Sequence, residues 1–277
     1  MLIRYGYDIT VSCAQPTPMI SLLALHEDRV RDVRVAEQIV TKPPVDIRTY
    51  RDLHGNLCRR FVSPAGDFSL WGDGTVEDGG QPDPVDWSAC EVPIADLPDN
   101  CLVYLLGSRY CETDHLSQVA WDIFGSVTPG WGRVQTICDF VHQHITFDYM
   151  SARATRTANE AFHERIGVCR DFAHLAIALC RCMNIPARYV NGYLGDIGVP
   201  ILDPMDFSAW IEVYIGNRWM TFDPRNNVPR IGRIVVARGR DAADVPLINS
   251  FGPHVLKSFR VWTYDVTNLG AGDGGAD

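Results

Sequence analysis

Hydrophobic and polar residues alternate along the first third of the chain. The run MLIRYGYDITVSC alternates at the N-terminus, and short runs such as MISLLALH and DFSLWGDGTVED follow, cut by Pro, Gly and Asp. This pattern is typical of half-buried strands, and several short strands at this spacing indicate a sandwich. DLHGNLCRRF predicts a hairpin about residues 54–56. Residues 1–95 are therefore predicted to form an N-terminal antiparallel β-sandwich domain.

The pattern becomes helical after residue 95. In WGRVQTICDFVHQHITFDY the apolar residues recur with helical spacing, and DHLSQVAWDIFG, TANEAFHERIG and VCRDFAHLAIALCRCMN predict further helices. Strands are predicted to follow at ARYVNGYLG, FSAWIEVYI, RWMTFDP and IGRIVVARG. The second domain, over 96–270, is thus predicted to be α+β, and the small, acidic segment 271–277 is predicted to be a flexible tail.

Composition narrows the function classes. Of the 277 residues, 46% are hydrophobic and 21% charged, which is typical of a folded protein, and the net charge of −9 argues against a nucleic-acid partner. The N-terminus lacks the apolar core of a signal peptide, and no run approaches the length of a membrane span. We therefore expect a cytoplasmic protein without a membrane partner.

Nine cysteines are present, and in a chain of this kind most are expected to be reduced and buried. Cys180 and Cys182 diverge by about 200° on a helix, so core packing is expected for them. Cys111, Asp114 and His115 form a loose cluster with no matching second half. No phosphate loop or dinucleotide fingerprint is present. We therefore expect neither a metal nor a cofactor.

Cys169 is the cysteine with the clearest chemical context. It lies in RIGVCRDFAHL, just after Gly167, which lets the backbone turn tightly, and at the start of a predicted apolar helix. A helix N-terminus favours the thiolate form, and the free amides of its first turn could stabilise an oxyanion. The alternative is a buried helix cysteine with no chemical role.

Two segments resemble the bacterial transglutaminase-like cysteine protease superfamily: GVCRDFAHLAIALCRCMNIPARYVNGYLG, and FSAWIEVYIGNRWMTFDPRN after it. The resemblance is dense over residues 130–245, and residues 1–95 are similar to the β-sandwich region that often precedes this core. It implies a papain-like or transglutaminase-like core, in which a helix bearing the cysteine packs on an antiparallel sheet. The family's motifs are a Cys that opens a helix, a His before Ala-Trp on a strand, and an Asp that closes the next strand.

The resemblance implies that Cys169 is the nucleophile and that Asp223 is the acid that orients the base. Ser208 stands where the family usually has His. A hydroxyl cannot accept a proton near pH 7 or pair with a thiolate as a cation. General acid–base catalysis typically contributes about 10²- to 10⁴-fold in rate. The serine therefore implies a slow enzyme, an inactive one, or one that takes its base from elsewhere.

Two residues are candidates for a replacement base. Asp206 would share a strand face with Ser208 and Trp210, and His163 precedes Cys169 by six residues. His174 is about 140° away from Cys169 around the helix and is expected to pack instead. Tyr149 is a candidate oxyanion donor, and Trp210 is a candidate residue of the cleft wall or the core.

The sequence thus favours a transglutaminase-like thiol enzyme that acts on amide bonds of a peptide or protein, as a peptidase, amidase or acyltransferase. Attack by Cys169 on an amide carbonyl would give a thioester, which water or an amine would resolve. The alternative is a catalytically weak or inactive binding or assembly module that keeps the fold and the cleft. The sequence does not indicate the oligomeric state.

Overall fold

The computed structural model describes residues 1–201 and 205–267. The predicted tail, 271–277, lies outside the described residues. The described helices are α1 (Asp99–Leu102), α2 (Thr113–Phe124), α3 (Trp131–His144), α4 (Ala158–Glu164) and α5 (Cys169–Cys182). The strands are β1 (Leu2–Cys13), β2 (Thr17–Ser21), β3 (Val33–Lys42), β4 (Arg48–Arg51), β5 (Leu57–Ser63), β6 (Gly66–Glu77), β7 (Thr146–Phe147), β8 (Ile166–Gly167), β9 (Ala187–Leu194), β10 (Phe207–Ile215), β11 (Arg218–Phe222), β12 (Arg233–Gly239), β13 (Ile248–Ser250) and β14 (His254–Asp265).

The first six strands and the last two form two four-stranded antiparallel sheets, which we call the N-terminal sheets. Their strand orders are β14-β1-β6-β3 and β13-β2-β5-β4. Phe61 of one sheet meets Phe68 of the other, with ring centroids 5.3 Å apart. The predicted hairpin joins β4 and β5, and its Gly55 has a φ of +83°, in the region that glycine adopts at little cost.

The last two strands complete these N-terminal sheets. β14 pairs with β1 from Ile3 to Cys13, and β13 pairs with β2. The sequence prediction placed residues 248–265 in the second domain, because strands so far apart along the chain give no local pattern that reveals their pairing. The N-terminal sheets therefore need the C-terminal segment to be complete.

The second region has α5 packed on a four-stranded antiparallel sheet of order β11-β10-β9-β12. Twelve of the 14 residues of α5 are buried, since β9 and β10 cover one side and α2, α3 and α4 the other. This arrangement confirms the predicted α+β class and the core in which a cysteine-bearing helix packs on a sheet. The helices predicted within DHLSQVAWDIFG, WGRVQTICDFVHQHITFDY and TANEAFHERIG are also confirmed, as α2, α3 and α4.

Candidate active site

Cys169 is the first residue of α5, and a buried ion pair holds that end of the helix in place. The Asp171 Oδ2 accepts a hydrogen bond from the Val168 N–H at 3.0 Å and one from the Arg156 Nη1 at 2.9 Å. Both side chains of this ion pair are at most 5% exposed. A Cβ at Gly167 would lie 2.6 Å from the same Oδ2. A glycine is therefore needed at position 167 because the Asp171 carboxylate occupies the space that a side chain would fill. The sequence had suggested a different reason, a tight turn of the backbone.

A cavity of about 490 Å³ opens at this end of α5. Cys169, Ser208, Asp206 and Tyr149 all line it, so the fold brings together four of the residues singled out in the sequence. The other lining residues come from the segments around β7, β9, β11 and the starts of α5 and β10: Phe147, Ala152, Val168, Leu194, Asp196, Met205, Phe207, Arg225 and Arg230. The cavity thus places a thiol beside a hydroxyl, a carboxyl and a phenol.

The environment of Cys169, which is partly exposed in the cavity wall, disfavours the thiolate form. Burial raises the pKa of the thiol to about 11, and the Asp206 carboxylate adds to the rise. The Ala209 backbone N–H donates towards the sulfur and, with Arg225, lowers the pKa by less than burial raises it. The expectation that the helix N-terminus makes this thiol acidic is therefore wrong, because desolvation of the thiolate outweighs the local dipoles.

No histidine is found among the residues lining the cavity in the described part of the chain. His163 is exposed on α4, where its Nδ1 is 2.8 Å from the Asn159 carbonyl oxygen. His174 is buried, stacks on Tyr110, and accepts a hydrogen bond from the Ala242 N–H at Nε2. His174 packs as expected, whereas the position of His163 does not suit the role of replacement base.

Asp206 lies directly before β10 and faces the cavity beside Ser208. Its Oδ1 accepts a hydrogen bond from the Phe207 N–H at 2.6 Å. Burial raises the pKa of this carboxyl, and the hydrogen bond offsets the rise only in part. A carboxylate with a raised pKa is a stronger base, so Asp206 is the cavity residue best suited to accept a proton.

Asp223 follows β11 directly and is almost fully buried. Its Oδ2 accepts hydrogen bonds from Arg233 at 2.8 Å and from the Asn226 side chain at 2.7 Å, and its Oδ1 accepts from the Arg225 and Asn226 N–H groups. Burial would raise the pKa of Asp223, but Arg233 and Asn226 outweigh it and leave the pKa below its ordinary value. This carboxylate is already fully engaged with its neighbours.

The two aromatic candidates have different positions. Tyr149 is half exposed at the cavity and packs edge-on against Phe147, while burial raises the pKa of its hydroxyl. Trp210 is completely buried under the Arg233 guanidinium, 4.9 Å from the ring centroid, and does not line the cavity. Of the two residues proposed for the cleft, only Tyr149 is therefore part of it, and Trp210 is a core residue.

Sequence reasoning missed the arginines at the cavity. Arg225 lies over the Phe147 ring, 4.3 Å from its centroid, and Arg230 donates to the Gly195 carbonyl oxygen and to Asp196. Both follow the motif that ends in Asp223, within PRNNVPR, so their nearness to a catalytic motif was the available sign. These arginines balance the two carboxylates of the cavity, Asp196 and Asp206, and Arg230 is paired with Asp196.

The comparisons with known proteins agree with this architecture. The model of the transglutaminase-like superfamily matches residues 117–224. The uncharacterized protein Rv2569c of Mycobacterium tuberculosis is 30% identical over 235 residues, covering 76% of this chain and 74% of the relative. The chain belongs to the transglutaminase-like superfamily.

A solved structure is similar to this chain over nearly its whole length. It is described as a "putative cysteine protease" from Cytophaga hutchinsonii, and it superposes with a TM-score of 0.84 at 32% identity, covering 95% of this chain and 90% of that chain. An uncharacterized protein of Mycobacterium leprae is 41% identical over 90 residues, which is 31% of this chain and 32% of the relative. These similarities support membership in a family of thiol enzymes.

Two further observations concern possible partners. Within residues 1–201 and 205–267, no group of three or more His, Cys, Asp or Glu side chains is placed to hold a metal ion. Of the helices in this part of the chain, none is long and apolar enough to cross a membrane.

Proposed function

We propose that this protein is a slow transglutaminase-like thiol enzyme that acts on amide bonds of peptides or proteins through Cys169. The observation that carries the proposal is the cavity in which the Cys169 thiol, the Ala209 N–H that points at its sulfur, and the Asp206 carboxyl meet. The sulfur would attack the amide carbonyl carbon, the C–N bond would break, and a thioester would form.

In this proposal Asp206 takes the role that an imidazole has in relatives. The carboxylate would accept the thiol proton during attack and pass it to the departing nitrogen, so that a neutral amine leaves. Water or a second amine would then release the acyl group from sulfur. Because a carboxylate is a weak base for a thiol of pKa about 11, we expect turnover to be slow. Ser208 would bind the substrate through its hydroxyl without transferring a proton.

A single set of variants tests the proposal in two assays. Acyl transfer is measured with dimethylcasein as the acyl donor and a fluorescent primary amine as the acceptor, and hydrolysis is measured as peptide release. We expect measurable acyl transfer or hydrolysis from the natural chain and none from Cys169→Ala. Asp206→Asn should lower the rate of acyl transfer or hydrolysis about 10²- to 10⁴-fold. Asp114→Asn, at an exposed position of α2, should leave the rate unchanged. Ser208→His should raise the rate by supplying an imidazole.

A second candidate function is a binding module that keeps the cleft but does not turn over. The raised pKa of Cys169, together with the full engagement of Asp223, favours it. The same assays separate the two candidates. If a substrate protein binds but the natural chain is no more active than Cys169→Ala, the enzymatic proposal is wrong and the binding module is supported.

A further inference from the structure

The outer face of strands β1, β6 and β14 carries a pair of half-buried tryptophans. Trp71 and Trp262 have ring centroids 6.3 Å apart, and they border a second cavity of about 470 Å³. We refer to this surface as the tryptophan face, defined by Trp71, Trp262, Tyr264, Arg4 and Arg260. Neither the active-site chemistry nor the sequence motifs account for it.

The position of Trp262 is fixed by its surroundings. It lies opposite Gly6 on β1, and Gly6 in turn lies opposite Asp73 on β6. A Cβ at Gly6 would lie 2.4 Å from the Trp262 ring, so the ring rests directly on the glycine backbone. The Trp262 Nε1 donates to the Asp73 Oδ1 at 2.8 Å. The indole is therefore held flat on the sheet, and a ligand that stacks on it meets a preorganised ring.

The charges of the tryptophan face are neutralised within the protein. Arg4 donates to the Asp73 Oδ1 at 2.8 Å, and Arg260 donates to the Asp8 Oδ2 at 2.6 Å. These pairs leave the aromatic faces as the surface for a ligand. An uncharged, flat group suits such a surface better than an anion or a cation, because aromatic rings gain most from stacked or edge-on contact with other rings.

The second cavity adjoins the candidate active site, since one residue lines both. Met205 lines both cavities, and its sulfur accepts a hydrogen bond from the Thr263 N–H of β14 at 3.4 Å. Phe207, in the wall of the first cavity, contacts Phe259, in the wall of the second, with centroids 6.1 Å apart. The two cavities thus share Met205 and meet at the Phe207–Phe259 contact, so the tryptophan face lies beside the cavity that holds Cys169.

We propose that the tryptophan face is a subsite that binds an aromatic side chain of an extended polypeptide substrate whose reacting amide lies at Cys169. The inference rests on the proposed function for the choice of a polypeptide, since an amide substrate that spans both cavities is a polypeptide. The N-terminal sheet then selects the substrate, while α5 and β10 provide the reacting groups. Trp262 and Trp71 contact the substrate but take no part in the chemical step.

Binding without turnover tests the subsite. The protein is the full chain with Cys169→Ala, and the probes are fluorescein-labelled, uncharged decapeptide pools in which one position is fixed as Trp, Phe or Ala. Anisotropy titrations should give a lower Kd for the Trp and Phe pools than for the Ala pool. Adding Trp262→Ala should raise the Kd of the aromatic pools roughly threefold to tenfold, to the level of the Ala pool.

A matched control is Trp121→Ala, which removes an exposed tryptophan of α2 that lines neither cavity. It should leave every Kd unchanged. Trp71→Ala serves as a second variant, so that the test survives if Trp262→Ala does not fold. If Trp262→Ala and Trp71→Ala weakened binding of the aromatic and Ala pools equally, or did not weaken it at all, the subsite would be overturned. An oligosaccharide of N-acetylglucosamine that binds in a Trp262-dependent way when the peptides do not would also overturn it.

The binding test of the subsite and the activity test of the proposed function can succeed or fail independently. Trp262-dependent binding of aromatic peptides supports the subsite even if the natural chain never transfers an acyl group from dimethylcasein. Conversely, acyl transfer that needs Cys169 but gives the same KM in the natural chain and in Trp262→Ala would support the enzyme and overturn the subsite.

Discussion

At the residue scale, the balance between desolvation and local dipoles controls the Cys169 sulfur. A helix N-terminus lowers the pKa of a thiol only where the thiolate keeps some solvation or gains a cation. Here burial raises the pKa to about 11, and Asp206 adds a negative charge nearby. A protonated imidazole beside the sulfur would compensate for the lost hydration through an ion pair. Ser208 offers no such charge.

The first prediction concerns the rate of Cys169 alkylation by iodoacetamide. At pH 7 a thiol of pKa about 11 should react roughly 100-fold more slowly than one of ordinary pKa, because only the thiolate reacts. The rate should keep rising past pH 10. Asp206→Asn should speed alkylation, since it removes a charge that opposes the thiolate. Mass spectrometry of the Cys169 peptide measures the rate, with exposed Cys90 as the internal reference.

This measurement complements the turnover assay for the same variant. If Asp206 is the base, Asp206→Asn speeds alkylation but slows acyl transfer, and the faster alkylation comes with a lower apparent pKa of Cys169 in the pH profile, which a merely loosened cavity would not require. Alkylation of Cys169 that is fast at pH 7 and unaffected by Asp206→Asn would contradict the electrostatic account given above.

At the element scale, the start of α5 depends on a buried ion pair. Asp171 satisfies the Val168 N–H at the end of the helix and also pairs with Arg156, which in turn donates to Glu164 and to the Ser151 carbonyl oxygen. The pair thus ties α5 to the segment before α4. It also sets the depth at which Cys169 enters the cavity, because only one residue separates Cys169 from Asp171.

The second prediction is that Asp171→Asn lowers the free energy of unfolding by about 3 kcal/mol, the cost typical of leaving a buried charge unpaired. Arg156 would lose its fully buried carboxylate partner and keep the partly exposed Glu164 and the Ser151 carbonyl oxygen. Urea unfolding followed by circular dichroism measures the change. Asp122→Asn, on the exposed side of α2, is the control and should change stability by less than about 0.5 kcal/mol. Equal effects of the two variants would show that the pair does not hold α5.

At the scale of the whole molecule, a buried polar cluster joins the N-terminal sheets to the core. Glu212 of β10 accepts hydrogen bonds from Arg188 of β9 and Arg238 of β12. Arg238 also reaches Asp28, and its backbone N–H donates to Asn56 of the β4–β5 hairpin. With β13 and β14 paired to β2 and β1, these contacts make the two regions depend on each other for stability.

The third prediction is that Glu212→Gln destabilises the whole chain by about 3 kcal/mol and leaves a single unfolding transition. Burial would raise the pKa of Glu212, but Arg188 and Arg238 outweigh it and lower the pKa below its ordinary value of 4.5. A lowered folded-state pKa means that this stabilisation is complete above about pH 4.5 and is lost as the pH falls through the folded-state value.

Unfolding in urea at pH 7, 4 and 3 tests the prediction. The difference between the natural chain and Glu212→Gln should be largest at pH 7 and should narrow as Glu212 becomes protonated. Glu27→Gln, which changes an exposed partner of Arg51, is the matched control and should show almost no difference at any pH. Two separate transitions in the natural chain would argue against the interlocked arrangement.

Local patterns were sufficient to predict the elements that build the core. The stripe of apolar residues in α3, the apolar helix after Cys169 and the strand pair around residues 216–217 were all predicted, and the structure has them. The motifs predicted Cys169, Ser208 and Asp223 in one cleft, with Asp206 as a possible replacement base. Cys169, Ser208 and Asp206 line the cavity, whereas Asp223 is not among its lining residues. The assignment of their chemical roles stays a prediction.

By itself, then, the sequence determined the α+β class and the family resemblance, and it led to the prediction that Ser208 stands where the family usually has His. Only the tertiary structure decided that β14 closes the N-terminal sheet, that His163 lies away from the cleft, and that burial raises the pKa of Cys169. It also brought the tryptophan face next to Met205. The physical reason is the same in each case: pairing between distant strands and desolvation depend on contacts that no local pattern along the chain records.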